Sequence, residues 1–119
     1  MSAAHPSTIY KISPRAPWEA AQAAGQFDGA PVDLADGFIH FSTADQVQET
    51  ARRHFAGQSD LILAAIDADV LGSALVWEPS RGGQLFPHLY APLLAKAVRW
   101  TKPLPLGADG AHIFPSLEG

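Results

Sequence analysis

Ten prolines and ten glycines punctuate the 119 residues. This spacing, more than any other feature, limits what the chain can build. Proline lacks an N–H and breaks helices, and glycine ends them, so many short elements are expected rather than long ones. Against that background one segment stands out. Leu61 to Ile66 is a continuous apolar run without a breaker, and it predicts a central strand.

Other elements follow from local pattern. Thr8 to Ile12 alternates and is β-branched, which predicts a first strand. Ser13 as N-cap, Pro14 in the first turn, Trp18, Ala21 and Gln22 or Ala23 at helical spacing, and Gly25 as a stop predict a helix near residues 14–24. A loop rich in Gly, Asp and Pro runs to Gly37. Phe38 to Ser42 reads as a strand with Phe38, His40 and Ser42 on one face and Ile39 and Phe41 on the other. Thr43 and Gln46 have capping-box spacing and open a second helix, which Gly57 closes. Its buried stripe is Val47, Ala51 and His54 or Phe55.

Asp67 to Gly72 is a turn, and Ala74 to Glu78 a strand broken by Pro79. Arg81-Gly82-Gly83 is a further turn. Gln84 to Tyr90 is extended, with Pro87 suited to an edge or a bulge. Ala97 to Lys102 is the last clear strand, and Ile113 and Phe114 are the residues able to dock the tail. Helices come early and strands late, so the expected class is α+β with a mixed or antiparallel sheet and two main helices. A single domain is expected over 1–119, with an ordered core at about 8–103 and loose termini at 1–7 and 104–119.

Composition excludes several functions. The net charge of −4 argues against a broad nucleic-acid surface, though a few local donors can still hold a small phosphorylated ligand. Without cysteine there is no disulfide, no thiolate nucleophile and no ordinary structural zinc site. That fits a reducing cytoplasm, where the chain is expected. Neither a signal peptide nor an apolar stretch of membrane-spanning length is apparent. The five histidines do not pair at ligand spacing, so no metal site is expected.

Three places carry chemistry. His40 sits in an otherwise apolar strand, where an imidazole must find hydrogen-bond partners. It is either a satisfied core group or a ligand-facing one, and pattern leaves both open. Ser42 and Thr43 follow at a strand-to-helix junction, where hydroxyls cap a helix and free N–H groups can hold an anion. In Phe86-Pro-His-Leu-Tyr90, His88 and Tyr90 share a face: they are either an aromatic pair on a half-buried edge strand or flat rings with donors and acceptors that stack on a base or nicotinamide. Glu78, at a strand end, is either solvated or a group for ribose hydroxyls or base catalysis. Lys11 reads as an exposed edge charge, and Arg52 and Arg53 as the solvated face of their helix.

The segments I-Y-K-I-S, G-F-I-H-F-S-T and L-F-P-H-L-Y, in this order and spacing, resemble the small bacterial family catalogued as domain of unknown function 952, from about Ile9 to Pro103. More distantly they are similar to the ADP-ribosyltransferase superfamily, especially RNA 2′-phosphotransferases. Those proteins carry a Y-H-G-T strand, a helix, an H-I-H-L-S strand, an apolar strand like Leu61 to Asp67, and a Pro-Tyr segment. The resemblance implies a split, bent sheet that clasps NAD. It places His40 on a ligand-contacting histidine and Glu78 near the acidic residue, with Gln84 as a second placement. The polar row on these strands adds Lys11, Ser42, Thr43, His88 and Tyr90 as expected ligand contacts, with His40 and Ser42 on ribose or phosphate, His88 and Tyr90 against a base or nicotinamide, and Glu78 stabilising charge at the ribose carbon. Lys11 replaces the superfamily's first-strand histidine, Ile12 replaces the glycine after it, and no counterpart of the N-terminal RNA-binding lobe is expected. The implied function is binding of NAD, ADP-ribose or a related phosphorylated nucleotide, with no tightly bound cofactor. Ribosyl or 2′-phosphate transfer and a non-catalytic structural or protein-interaction role are the alternatives.

Overall fold

The computed structural model describes residues 5–117, apart from the side chain of Arg81. Of the loose start expected over 1–7, residues 1–4 lie outside the described residues. His5 stacks on Trp77 with ring centroids 4.0 Å apart, and the Ser7 carbonyl accepts from Ala68 N–H at 2.8 Å.

The apolar run forms the strand on which the rest is built. β1 (Thr8–Pro14) and β8 (Val98–Leu104) flank β4 (Leu61–Asp67), both antiparallel to it. Side chains alternate along a strand, so β4 feeds two cores. Ile62, Ala64 and Ile66 join Ile9, Phe27, Ile39, Phe41 and Leu89 on one face, closed by Trp18. Trp18 lies on α1 (Arg15–Ala24) and donates from Nε1 to Thr101 Oγ1 at 3.2 Å. Leu61, Leu63 and Ala65 join Tyr10, Ile12 and Leu104 on the other face. That face is covered by Val47 and Ala51 of α3 (Ala44–His54).

A second antiparallel sheet has β6 (Leu85–Leu89) between β3 (Ile39–His40) and β5 (Leu75–Pro79). A two-residue pair joins β2 (Gln26–Phe27) to β7 (Leu93–Leu94). The two larger sheets meet at one point. Tyr10 N–H donates to the Ser42 carbonyl at 2.7 Å, and Ser42 N–H returns a bond to Tyr10 at 2.9 Å. The molecule is thus α+β with antiparallel sheets and few helices. Among the described residues no helix is long and apolar enough to cross a membrane.

Several expectations are corrected. The stretch read as loop contains a short helix, α2 (Pro31–Asp36), ended by Gly37 in the left-handed region at φ 87°. Ser13 does not cap α1: it stays in β1 opposite Ile62, and the helix starts at Arg15. Pro87 lies in the middle strand rather than at an edge. It is tolerated there because β3 stops beside it: Phe41 N–H donates to the Pro87 carbonyl at 3.1 Å, and proline has no N–H to return. In the tail, Phe114 packs on the second core while Ile113 stays 56% exposed. Arg52 and Arg53 lie, as expected, on an exposed helix face, paired with Glu49.

Leu63 is wholly buried beneath α3. Leu63→Ala is expected to cost about 2–5 kcal/mol in equilibrium urea unfolding, through lost burial and the cavity left behind.

Candidate functional site

The period of two along β-strands assembles the site. On the second sheet Ile39, Phe41 and Leu89 face the first core. The opposite face therefore carries Phe38, His40, Glu78, Phe86, His88 and Tyr90. His40 stands directly across from His88 in the register, and their ring centroids are 5.5 Å apart. Phe38 stacks on His88 at 4.1 Å and tilts against His40 at 4.7 Å and Tyr90 at 5.2 Å.

Beside this face opens a cleft of about 490 Å³. Its walls include Tyr10 and Lys11 of β1, Val32 and Asp36 of α2, His40, Ser42, Thr50 of α3, and His88. Phe41, Phe55 and Phe86 add apolar wall, and Ser80 adds a hydroxyl. The volume lies within the range of small-molecule sites.

One carboxylate organises the region. Asp33 of α2 is 1% exposed. It accepts from Lys11 Nζ at 2.9 and 3.1 Å, from Ala30 N–H at 2.7 Å and from His40 N–H at 3.1 Å. Its Oδ1 also lies 2.6 Å from His40 Nδ1. Burial pushes the Asp33 carboxyl up, but the His40 hydrogen bond, the Lys11 charge and the Ala30 N–H outweigh it and bring it down to about 2. Burial pushes the Lys11 ammonium down, against the pull of Asp33. Lys11 gives its remaining proton to the His40 carbonyl at 2.9 Å.

The two imidazoles are held differently. His40 has a carboxylate at each nitrogen, the second being Asp36 Oδ2, 2.9 Å from Nε2. His88 has Glu78 Oε1 at 2.7 Å from Nδ1. Tyr90 donates its hydroxyl to the same Glu78 oxygen at 2.8 Å. Hydrogen bonds from His88 and Tyr90 hold the Glu78 carboxyl below its usual range, and the bond to Glu78 raises the Tyr90 phenol.

Residues 12–101 match the family described as "Protein of unknown function (DUF952)". The chain belongs to the DUF952 family. It is also similar to protein CC0527 from Caulobacter crescentus. The crystal structure of that protein is 55% identical over 89% of this chain and 93% of the other, with a TM-score of 0.86. A double variant of CC0527 matches at 53% identity and a TM-score of 0.86, with the same coverage. The solution structure of CC0527 matches at 55% identity over 89% and 91% of the two chains, with a TM-score of 0.80. No curated protein matches the chain.

The DUF952 segments G-F-I-H-F-S-T and F-P-H-L-Y therefore meet in space, and His40, Glu78, His88 and Tyr90 form one connected cluster. Not all of them reach the cleft. Glu78 and Tyr90 lie behind His88 and outside the cavity wall, and Tyr90 is 48% exposed. Ser42 lines the cleft, with its hydroxyl 2.9 Å from that of Thr50. Thr43 caps α3 instead: its N–H donates to Gln46 Oε1 at 3.0 Å, so that donor is not free for an anion. Lys11 is not the exposed edge charge expected; it is 5% exposed and turned onto Asp33. Gln84, the second placement for the acidic residue, meets Gln46 at 3.5 Å. Sequence reasoning missed Asp33, Asp36 and the stacking role of Phe38. The signal for the two aspartates is Pro31-Val-Asp-Leu-Ala-Asp-Gly37, with proline in the first turn, Asp33 near the N-terminus and glycine as the stop. Among the described residues no group of three or more His, Asp or Glu side chains is arranged to hold a metal ion.

The Asp33 carboxyl falls from 3.8 to about 2 on folding, so its contribution is present above pH 4 and lost as pH drops towards 2. Acid titration of stability should show a loss of roughly 2 kcal/mol over that window, absent in Asp33→Asn. At pH 7 that variant strands the Lys11 ammonium and is expected to cost about 3–5 kcal/mol. Adding Lys11→Met should recover much of the loss, measured by urea unfolding.

Proposed function

We propose that the cleft binds a nucleotide-like ligand such as NAD or ADP-ribose, gripping chiefly its ribosyl and ring portions. The carrying observation is the meeting of His40, His88, Asp36 and Ser42 around one cleft beside the ring face of Phe38. Carboxylate, imidazole and hydroxyl groups suit a ribose diol, and flat rings suit a base or nicotinamide. The resemblance to the ADP-ribosyltransferase superfamily supports the same class, since the antiparallel sheets part around the cleft as a split, bent sheet would. The lack of cysteine fits a cytoplasmic setting.

Charge favours the ribosyl end over the phosphates. The Lys11 ammonium is matched by Asp33, and His40 lies between Asp33 and Asp36. Lys11 therefore does not stand in for the superfamily's first-strand histidine, which speaks for binding without turnover by that route. Turnover, as ribosyl or 2′-phosphate transfer, is the second reading, favoured by the carboxylate–imidazole pair of Glu78 and His88.

Thermal unfolding of the whole chain with NAD, ADP-ribose or a 2′-phosphorylated nucleotide tests the reading. A ligand present at 100 times its Kd should stabilise by about 2.7 kcal/mol and raise Tm accordingly. Asp36→Asn, at the half-exposed rim, should weaken that shift. Unmoved melting with all three at millimolar concentration would end the nucleotide reading, and nicotinamide released from NAD would replace binding with turnover.

A further inference from the structure

We propose that His88 is the proton acceptor of the cleft: its Nε2 takes the proton of a ribosyl hydroxyl or a water held there, and Glu78 is the residue that positions it. The inference rests on the nucleotide reading only for which hydroxyl is presented.

A neutral imidazole has one donor nitrogen and one acceptor nitrogen. An ionised carboxylate only accepts, so the Glu78 contact at 2.7 Å requires the proton of His88 on Nδ1. The lone pair then resides on Nε2. No described residue hydrogen-bonds Nε2, although His88 is only 6% exposed. The one buried side-chain polar atom without a partner among the described residues is Gln22 Nε2, so His88 Nε2 is reached by solvent. His88 lines the cleft and Glu78 does not, which aims the open edge of the ring inwards.

The ring is also fixed. Phe38 stacks on its face with 26° between planes, and β6 holds its backbone between two strands. Tyr90 and His88 both donate to Glu78 Oε1, which pins the carboxylate. Those two bonds keep Glu78 below its usual range and so ionised at neutral pH. His40, 5.5 Å away, makes the contrast: both its nitrogens face carboxylates, so neither nitrogen edge is open to a ligand.

In the step, the O–H bond of the bound hydroxyl breaks and its electron pair stays on oxygen. An N–H bond forms at Nε2, and the resulting imidazolium is balanced by Glu78 through Nδ1–H. Oxygen is thereby made nucleophilic without any further co-reactant.

Two measurements on the full chain test this without a substrate. Long-range ¹H–¹⁵N spectra of the neutral His88 ring should show the Nδ1–H tautomer. Glu78→Gln, which still accepts a hydrogen bond, should keep that tautomer, and Glu78→Ala should lose it; a purely structural Glu78 would leave all three alike. Diethyl pyrocarbonate with peptide mapping should modify His88 and spare His40, and Glu78→Ala should slow His88 by about tenfold, the scale of one hydrogen bond to a charged group. An Nε2–H tautomer in the unaltered protein, or His88 no more reactive than His40, would overturn the assignment. ADP-ribose binding together with an Nε2–H tautomer would remove the acceptor and keep the ligand. A reactive Nε2 with no nucleotide shift would keep the acceptor and remove that ligand.

Discussion

A buried ion pair sets the geometry of the cleft. Lys11 on β1 and Asp33 on α2 meet at 2.9 Å with almost no exposure, 22 residues apart in the chain. Such a pair adds little net stability, because desolvation consumes most of the attraction. Its value lies in placement. An isolated charge in that position would be costly, so β1, α2 and the start of β3 must come together in the one arrangement that pairs both ions. Asp33 also accepts from the backbone and approaches the ring of His40, and Lys11 donates to the His40 carbonyl. The orientation of one cleft imidazole is therefore a consequence of how the chain buries a lysine.

The sheet junction has an equally local cause. The register that pairs Ile39 with Leu89 and His40 with His88 would next pair Phe41 with Pro87. Phe41 can donate, but Pro87 cannot answer, and the ladder stops. The freed chain pairs Ser42 with Tyr10 on the other sheet instead. The cleft opens at this departure, with His40 and His88 as the last matched pair before it. Antiparallel ladders alternate between hydrogen-bonded and closer, unbonded positions, and this pair falls on the closer kind. A proline in the wrong place for a central strand thus decides where two sheets part and which side chains stand at the mouth.

What sequence reveals follows the range of each interaction. Leu61–Asp67 is legible because burial on both faces leaves an unbroken apolar run. α3 is legible from Thr43, Gln46 and a stripe at helical spacing, and the alternation of Phe38 with His40 and of His88 with Tyr90 anticipates their common face. α2 is not, because six residues are too few for periodicity and its stabilising contacts are remote. Lys11 reads as exposed because lysine is almost never buried without a partner, and nothing local to β1 announces Asp33. The fold class and half the site come from patterns within a segment. The aspartates that hold the other half act across segments, where one sequence carries no record of contact.

The same distribution of carboxylates separates the two histidines into different chemical characters. His40, between Asp33 and Asp36, is spent on neighbours at both nitrogens and can act on a ligand only through its ring and local field. His88, with one carboxylate behind it, keeps an edge for whatever enters. Ion pairing within the wall also means that Lys11 offers no unmatched positive charge to a dianionic phosphate. A ligand seated here gains most by turning neutral hydroxyls and ring faces inwards and leaving its phosphates to solvent, where their hydration is kept. For the nucleotide-like ligand proposed above, selectivity is then governed less by attraction to phosphate than by the cost of stripping water from it.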